Sequence, residues 1–161
     1  AFMQQAMDAT GGLLGLAALQ LTQEPEQGTA ADASQEAMRG FVREVERWAA
    51  PIQNTRRFAA ESLTLLEQPV EAGQTILLVL ASANRDEALN PQAEHFDVHR
   101  AQGRSMGFGG GPHLCPGASI AIEMVAACAR HIRAGAQKDL KTQEWRTPSA
   151  GASRFSSARS A

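Results

Sequence analysis

The sequence predicts a mainly α-helical domain that carries a small β-sheet. Three segments, residues 2–23, 35–48 and 118–132, have apolar side chains spaced over several helical turns. Two further segments, 56–65 and 74–82, have the composition of strands and are joined by a turn-rich linker. A chain of 161 residues with 43% hydrophobic residues is long enough to bury one core. We therefore expect the helices to form the body of the domain and the strands to lie at one side.

The first predicted helix, residues 2–23, is apolar over most of its surface and ends before Pro25. The adjacent glycines Gly11 and Gly12 predict a weak point, because paired glycines are a known cause of helix kinks. A helix that is apolar all round is typical of the centre of a large protein. Since a chain of this size offers little to surround such a helix, the sequence is predicted to be part of a larger fold.

The second helix has clear boundary signals. Residues 24–34 are polar and are predicted to form a loop, with Ser34 as the N-cap of the helix that starts at about Gln35. Pro51 follows its predicted end. Residues 84–100 are polar and interrupted by proline, so an irregular, meandering loop is expected there.

The last part of the chain, residues 134–161, is polar and rich in Ser, Ala and Gly. It carries too little apolar surface to offset the entropy of folding. We expect residues 1–133 to form the folded part and residues 134–161 to be a poorly ordered tail.

Charge balance and cysteine content exclude several classes of protein. With 15 basic and 17 acidic residues, the chain shows no bias towards nucleic acid or an anionic membrane. No apolar run is long enough to span a membrane, and the N-terminus lacks the order of a signal peptide. The two cysteines, Cys115 and Cys128, predict no disulfide framework, and Cys128 is expected to be a small buried thiol. A reducing cytoplasm fits this pattern.

The segment "GFGGGPHLCPG", residues 107–117, is the most informative stretch of the chain. Its glycine density disfavours helix and strand, so we expect a loop that holds a ligand. The glycine spacing does not match a dinucleotide or phosphate loop. For zinc, His113 and Cys115 supply only two ligands, while His95 and His99 fall in the irregular segment. A zinc-binding module is therefore the weaker alternative.

A haem iron bound by a single thiolate meets the constraints better, because the porphyrin supplies the equatorial ligands and Cys115 alone suffices. Backbone N–H groups of the loop and the N-terminus of the following helix place partial positive charge near the sulfur. Pro116 suits the start of that helix. Gly109 and Gly111 would let the backbone turn tightly and approach a flat macrocycle without a Cβ clash.

These residues resemble the haem-binding signature of the cytochrome P450 family, F-G-x-G-x-H-x-C-x-G. The fixed positions are matched by Phe108, Gly109, Gly111, His113, Cys115 and Gly117. The segment "EVER" is similar to the family's E-x-x-R, and "PIQNTRRFA" and "ANRDEALNPQAEHFDVHR" are similar to segments of soluble bacterial members. The resemblance implies the C-terminal part of that fold: central helix, E-x-x-R helix, meander, cysteine loop and following helix.

The resemblance also implies roles around the cofactor, haem b. It makes Cys115 the axial iron ligand and places Phe108 over the sulfur-side face of the haem. It assigns His113 and Arg57 to the haem propionates. Because side chains alternate along a strand, Arg56 would point away from the haem if Arg57 points towards it.

Further roles are implied away from the sulfur. Glu44 and Arg47 are expected to form a structural pair that Arg100 completes. Thr10 matches the hydroxyl that serves bound oxygen in the family, whereas Ala9 stands where the family has an acid. Asp8 is two residues from Thr10, and such positions do not face each other on a regular helix. Asp8 is therefore a catalytic candidate only if the nearby glycines reorient it.

The implied activity is that of a haem-thiolate monooxygenase, which inserts one oxygen atom from O2 into a small organic substrate. Its expected partner is a ferredoxin-type electron donor. The resemblance covers only the C-terminal part of the family's fold, so we expect a truncated or partial chain without the N-terminal half. A non-catalytic remnant without stable haem is the alternative.

Overall fold

The computed structural model describes residues 2–100 and 103–135. It confirms a mainly helical fold with a small β region. The helices are α1 (Phe2–Gln23), α2 (Pro25–Ala31), α3 (Gln35–Ala49), α4 (Leu80–Ala83) and α5 (Ala118–Gly135), with a 3-10 turn at Gly111–His113. The strands are β1 (Asn54–Phe58), β2 (Leu63–Leu65), β3 (Gln68–Val70) and β4 (Thr75–Val79). Apart from residues 134 and 135 in α5, the predicted tail lies outside the described residues.

The core is formed where α1, α3 and α5 pack together. Phe41 and Val42 of α3, Leu13 of α1 and Val125 of α5 are almost fully buried within it. The helix α1 runs unbroken through Gly11 and Gly12, so the predicted weak point does not interrupt it. Burial of these apolar side chains is the main favourable contribution to the fold.

The structure corrects the loop predicted at residues 24–34, because α2 occupies most of it. Pro25 is the first residue of α2, where its fixed φ favours the helix and its missing N–H is not needed. Gly28 is packed so closely that a Cβ there would lie 2.8 Å from the Arg133 guanidinium. Ser34 caps α3 as predicted, and its hydroxyl accepts a 2.9 Å hydrogen bond from the Ala37 N–H.

The β region differs from the sequence prediction in its number of sheets. β1 pairs with β4 and β2 pairs with β3, both antiparallel, giving two two-stranded sheets. The linker predicted between two strands contains β3. The tight turn joining β2 to β3 has Leu66 at φ +48° and Glu67 at φ +65°. Because this turn has positive φ at residues other than Gly or Asn, its sequence carries no hairpin signal.

The prediction that Cys128 is buried is wrong, because its side chain is exposed. The buried face of α5 is formed by Ile122, Val125, Ala126 and Ala129, and Cys128 points away from it. A uniformly apolar helix sequence does not show which side meets the core. No helix in the described part of the chain is long and apolar enough to cross a membrane.

Candidate functional site

A cavity of about 300 Å³ lies between the N-terminal half of α1 and the cysteine loop, residues 107–117. Most of its wall is apolar or small. It is lined by Ala6, Ala9, Thr10 and Leu13 of α1, Glu46 of α3, Pro51 and Ile52 after α3, Gly107, Phe108, Cys115, Pro116 and Gly117 of the cysteine loop, and Ala121 of α5. The structure therefore brings Thr10 and Cys115, far apart in sequence, to one cavity.

The backbone of the cysteine loop is shaped by glycines at two positions. Gly109 has φ +75° and Gly111 has φ +56°, a region that favours glycine. A Cβ on Gly109 would lie 2.7 Å from the His113 carbonyl oxygen, which is shorter than any normal contact. The Cys115 N–H donates a 2.8 Å hydrogen bond to the Phe108 carbonyl, so the loop closes on itself. This closure leaves the Cys115 thiol half-buried at the cavity wall.

Two buried asparagines that the sequence analysis did not single out hold the segment before the cysteine loop. The Asn84 Oδ1 accepts a 2.7 Å hydrogen bond from the Met106 N–H. Asn90 accepts from the Arg104 N–H at 2.8 Å and donates to the Arg104 carbonyl at 2.9 Å. Both side chains are almost fully buried. Their position in the polar segment after α4 gave no sign that they would be buried.

Glu44, Arg47 and Arg100 meet in what we call the ion-pair cage. Arg47 is 1% exposed and binds both oxygens of Glu44, at 2.8 Å each. Its remaining N–H groups donate to the carbonyls of Asn84, Ala93 and His95. Arg100 donates to Glu44 Oε1 at 3.1 Å. The cage therefore holds α3 against the meander, residues 84–100. All five N–H groups of the Arg47 guanidinium donate hydrogen bonds within it.

Thr10 and Asp8 occupy different environments. Thr10 lines the cavity, whereas the Asp8 side chain is exposed and is absent from the lining. Ala9, which stands in the family's acid position, lines the cavity as well. The regular helix thus presents Thr10 and Ala9 to the cavity and leaves Asp8 outside it.

Arg57 and His113 are not part of the cavity lining. Arg57 lies on β1 opposite Ile76, with an exposed side chain that donates to Thr55 Oγ1 and to the Arg56 carbonyl. His113 is exposed at the end of the 3-10 turn.

Glu46 is the residue at the cavity that the sequence analysis missed. It is 2% exposed, and its Oε1 has no hydrogen-bond partner. Burial raises the pKa of Glu46, and a hydrogen bond with the Ser105 hydroxyl and the charge of Arg47 offset this only in part. The spacing from Val42, one helical turn earlier on the buried face of α3, could have revealed it.

The residues around the cavity fit a haem. One thiol lies in the wall formed by the cysteine loop, α1 forms the facing wall, and glycines replace side chains where the loop turns. The chemistry of this donor set, a single half-buried cysteine among apolar groups, suits a metal that brings its other ligands with it. Within residues 2–100 and 103–135, no group of three or more His, Cys, Asp or Glu side chains could hold a metal ion. The zinc alternative therefore has no cluster to support it there.

Comparison with known proteins agrees with this site. The sequence model of the family described as Cytochrome P450 matches residues 34–134. Cytochrome P450 126 of Mycobacterium tuberculosis is 33% identical over 137 residues, which are 84% of this chain and 32% of that protein. Linalool 8-monooxygenase of Pseudomonas putida is 35% identical over 101 residues, which are 63% of this chain and 25% of that protein.

Solved structures give the same result. Cytochrome P450 CREJ superposes with a TM-score of 0.73 at 31% identity, over 78% of this chain and 32% of that one. P450BioI, solved with a fatty-acid-ligated acyl carrier protein, gives 0.71 at 29% identity, over 78% and 33%. The chain spans about a third of the length of the first curated relatives it matches. Since the matched residues include both the ion-pair cage and the cysteine loop, the chain belongs to the cytochrome P450 family.

Proposed function

We propose that this chain forms the haem-thiolate part of a cytochrome P450 monooxygenase and that Cys115 is the iron ligand. The observation that supports this most directly is the position of Cys115 in the wall of a cavity whose opposite wall carries Thr10. When bound, the haem supplies the reductive activation of O2 and the transfer of one oxygen atom to an organic substrate.

The cysteine loop prepares the sulfur for this role. The helix α5 begins three residues after Cys115, and its N-terminus carries partial positive charge. Phe108 lines the same cavity as Cys115 and adds an apolar side chain to its wall. Gly109 and Gly111 fix the turn, so the sulfur is oriented before any ligand arrives.

Arg57 and His113 remain candidates for the haem propionates, which extend from the edge of the ring. Both are exposed, and each lies within five residues, along the chain, of a residue that lines the cavity. A guanidinium and an imidazole can each donate charge-assisted hydrogen bonds to a carboxylate. Glu44, Arg47 and Arg100 act on structure alone, because they hold the meander behind the loop.

Thr10 is proposed as the hydroxyl that donates or accepts a hydrogen bond inside the cavity near bound oxygen. Ala9 leaves this position without the neighbouring acid of the family, and Asp8 is exposed. Ala9 has no group that can donate a proton. Any proton that reaches Thr10 Oγ1 must therefore come through water or from another residue.

The resemblance places this chain in the C-terminal part of the family's fold. The substrate and the electron donor are therefore proposed for a protein that has the whole fold. We propose a small organic substrate and a ferredoxin-type one-electron donor. The two free cysteines fit a reducing cytoplasm. We propose that the haem-binding part extends to the end of α5 at Gly135, two residues beyond the predicted boundary, and that the polar tail follows it.

The proposal is tested by reconstituting the chain with haem and recording the spectrum of the reduced carbon monoxide complex. We expect the red-shifted Soret band of a thiolate ligand in the unmodified chain. Cys115→Ser should lose this band, while Cys128→Ser, at the exposed thiol, should keep it. If the unmodified chain takes up no haem, the proposal is wrong, and the chain is a remnant that keeps only the scaffold.

A further inference from the structure

The buried carboxyl of Glu46 has no role in the family-like arrangement described above. It lies on α3 two residues beyond Glu44, yet it faces the cavity instead of the ion-pair cage. A Cβ on Gly107 would lie 1.7 Å from Glu46 Oε1, so this oxygen rests directly against the backbone of the cysteine loop. Glu46 therefore occupies the same cavity wall as the iron-binding candidate Cys115.

No cation neutralises this carboxyl within the described part of the chain. Arg47 is adjacent in sequence, but the five N–H donors of a guanidinium are all used here. Two bind Glu44, and the other three bind the backbone carbonyls of Asn84, Ala93 and His95. Glu46 forms no salt bridge among the described residues, and its Oε1 is left without a partner.

The groups that face Glu46 are few. Arg47 contributes a charge from the same helix, Ser105 contributes a hydroxyl, and Cys115 is the one titratable side chain that the cysteine loop adds to the cavity lining. The lining residues of α1 and α5 add the Thr10 hydroxyl and no ionisable group. Among the described residues, the cavity lining contains no cation that could balance an added negative charge. Such a charge therefore acts strongly on a buried carboxylate.

We propose that Glu46 takes up a proton when a haem iron bound at Cys115 is reduced and releases it when the iron is oxidised. This inference rests on the proposed function. The step balances as one electron from an external one-electron donor to ferric iron and one proton from solvent to the Glu46 carboxylate. The products are ferrous iron and a neutral carboxylic acid, and the O–H bond is the only bond formed.

The physical reason is linkage between two charges that share one poorly solvated cavity. Reduction adds negative charge, which makes the ionised form of Glu46 less stable. The carboxyl is already easy to protonate, because its burial raises its pKa and leaves one oxygen unpaired. Glu46 thus acts on the iron through its charge, as a positioning residue.

The test is a spectroelectrochemical titration of the haem-loaded chain over a series of pH values. In the unmodified chain the equilibrium constant for reduction should fall as pH rises, by up to about tenfold per pH unit where one proton accompanies each electron. Glu46→Gln and Glu46→Leu should both lose this part of the pH dependence. Glu61→Gln removes an exposed acid and should behave like the unmodified chain.

An infrared redox-difference spectrum gives a second readout that does not depend on activity. Reduction should produce the C=O band of a protonated carboxyl group, which shifts when the glutamates are labelled with ¹³C and is absent in Glu46→Gln. Equal pH dependence in the unmodified chain and both Glu46 variants would overturn the proposal. If neither variant keeps haem, the absence of the labelled band in the unmodified chain would overturn it.

The outcomes separate this inference from the function on which it rests. A chain that shows no thiolate-type Soret band contradicts the proposed function and this inference together. A chain with that band, but without a Glu46-dependent proton, contradicts this inference alone.

Discussion

Two carboxylates on one helix, Glu44 and Glu46, meet opposite conditions although a single residue separates them. Glu44 faces the ion-pair cage, where Arg47 and Arg100 both bind it. Glu46 faces the cavity, where one of its oxygens has no partner. Both side chains are almost fully buried. Burial alone therefore does not decide whether a buried carboxylate is satisfied. That depends on the hydrogen-bond donors that other segments bring to it.

The comparison also separates two ways of fixing a loop. The cage holds the meander through charge-assisted hydrogen bonds that reach several backbone carbonyls. The cysteine loop is held mainly by backbone shape, including the positive φ values of Gly109 and Gly111. The first kind of support fails when a charge loses its partner, and the second fails when a side chain is added.

The largest effect is expected from breaking the cage. Arg47→Leu leaves the buried Glu44 with one cation, Arg100, and removes a donor from three backbone carbonyls, so we expect the free energy of unfolding to fall by about 3–5 kcal/mol. Urea unfolding measures the loss. Arg43→Gln, which removes an exposed arginine of the same helix, is the matched control and should cost far less. Equal losses would show that the cage is no stronger than a surface pair.

A smaller effect is expected from adding a side chain to the cysteine loop. Gly109→Ala imposes positive φ on alanine and brings its Cβ to 2.7 Å from the His113 carbonyl oxygen. We expect a loss of about 1–3 kcal/mol in the free energy of unfolding and weaker haem uptake. Gly110→Ala is the control, since Gly110 has an extended φ of −160° and its Cβ would meet Met106 at an ordinary 3.8 Å. Similar losses in both variants would contradict the strain argument.

Removing the buried Glu46 carboxyl, which has one oxygen without a partner, should stabilise the chain. Because the folded state raises the pKa of Glu46, it binds more protons than the unfolded state above the ordinary glutamate value. The free energy of unfolding therefore falls as pH rises from the ordinary glutamate pKa to the raised pKa of Glu46, and it stays low above the raised pKa. At neutral pH we expect Glu46→Leu to gain about 1 kcal/mol or more and to lose this slope. Urea unfolding at several pH values checks both, and a destabilised Glu46→Leu would contradict them.

The smallest effect is expected at Glu36, in the exposed first turn of α3. Hydrogen bonds from Arg43 and then Arg39 lower the pKa of Glu36. Its contribution is therefore present above the ordinary glutamate pKa and is lost as pH falls through the lowered value, the opposite sign to Glu46. Glu36→Gln should slightly weaken the chain at neutral pH and have no effect in acid. Melting temperatures of the unmodified chain and Glu36→Gln, measured over the same pH series, check this. A larger difference in acid than at neutral pH would contradict the prediction.

Sequence patterns predicted much of the fold where the signal is local. The ends of α3 follow from Ser34 and the proline after the helix, and the helical segments follow from apolar spacing. α2 was missed because a short polar helix depends on Pro25 at its start and on close packing at Gly28. The β2–β3 hairpin was missed because Leu66 and Glu67 are unusual residues for positive φ.

The candidate site divides in the same way. The glycine spacing around Cys115 and the Glu44–Arg47 pair could be read from residues close together in the chain. The sequence could not show that Asn84 and Asn90 would be buried behind the cysteine loop, since polar residues in an irregular segment are usually exposed. It also could not show which face of α5 would carry Cys128.

By itself, the sequence determined the three long helices, the conformational freedom of the cysteine loop and the residue types that favour a haem. These follow from propensity, glycine placement and side-chain chemistry, which act over a few neighbouring residues. Only the tertiary structure decided that Thr10 and Cys115 share a cavity, that Arg47 has no donor left for Glu46, and that one oxygen of the buried Glu46 has no partner. Solvation and electrostatic partners depend on segments distant in the chain, so the charge state of a buried group is a property of the fold.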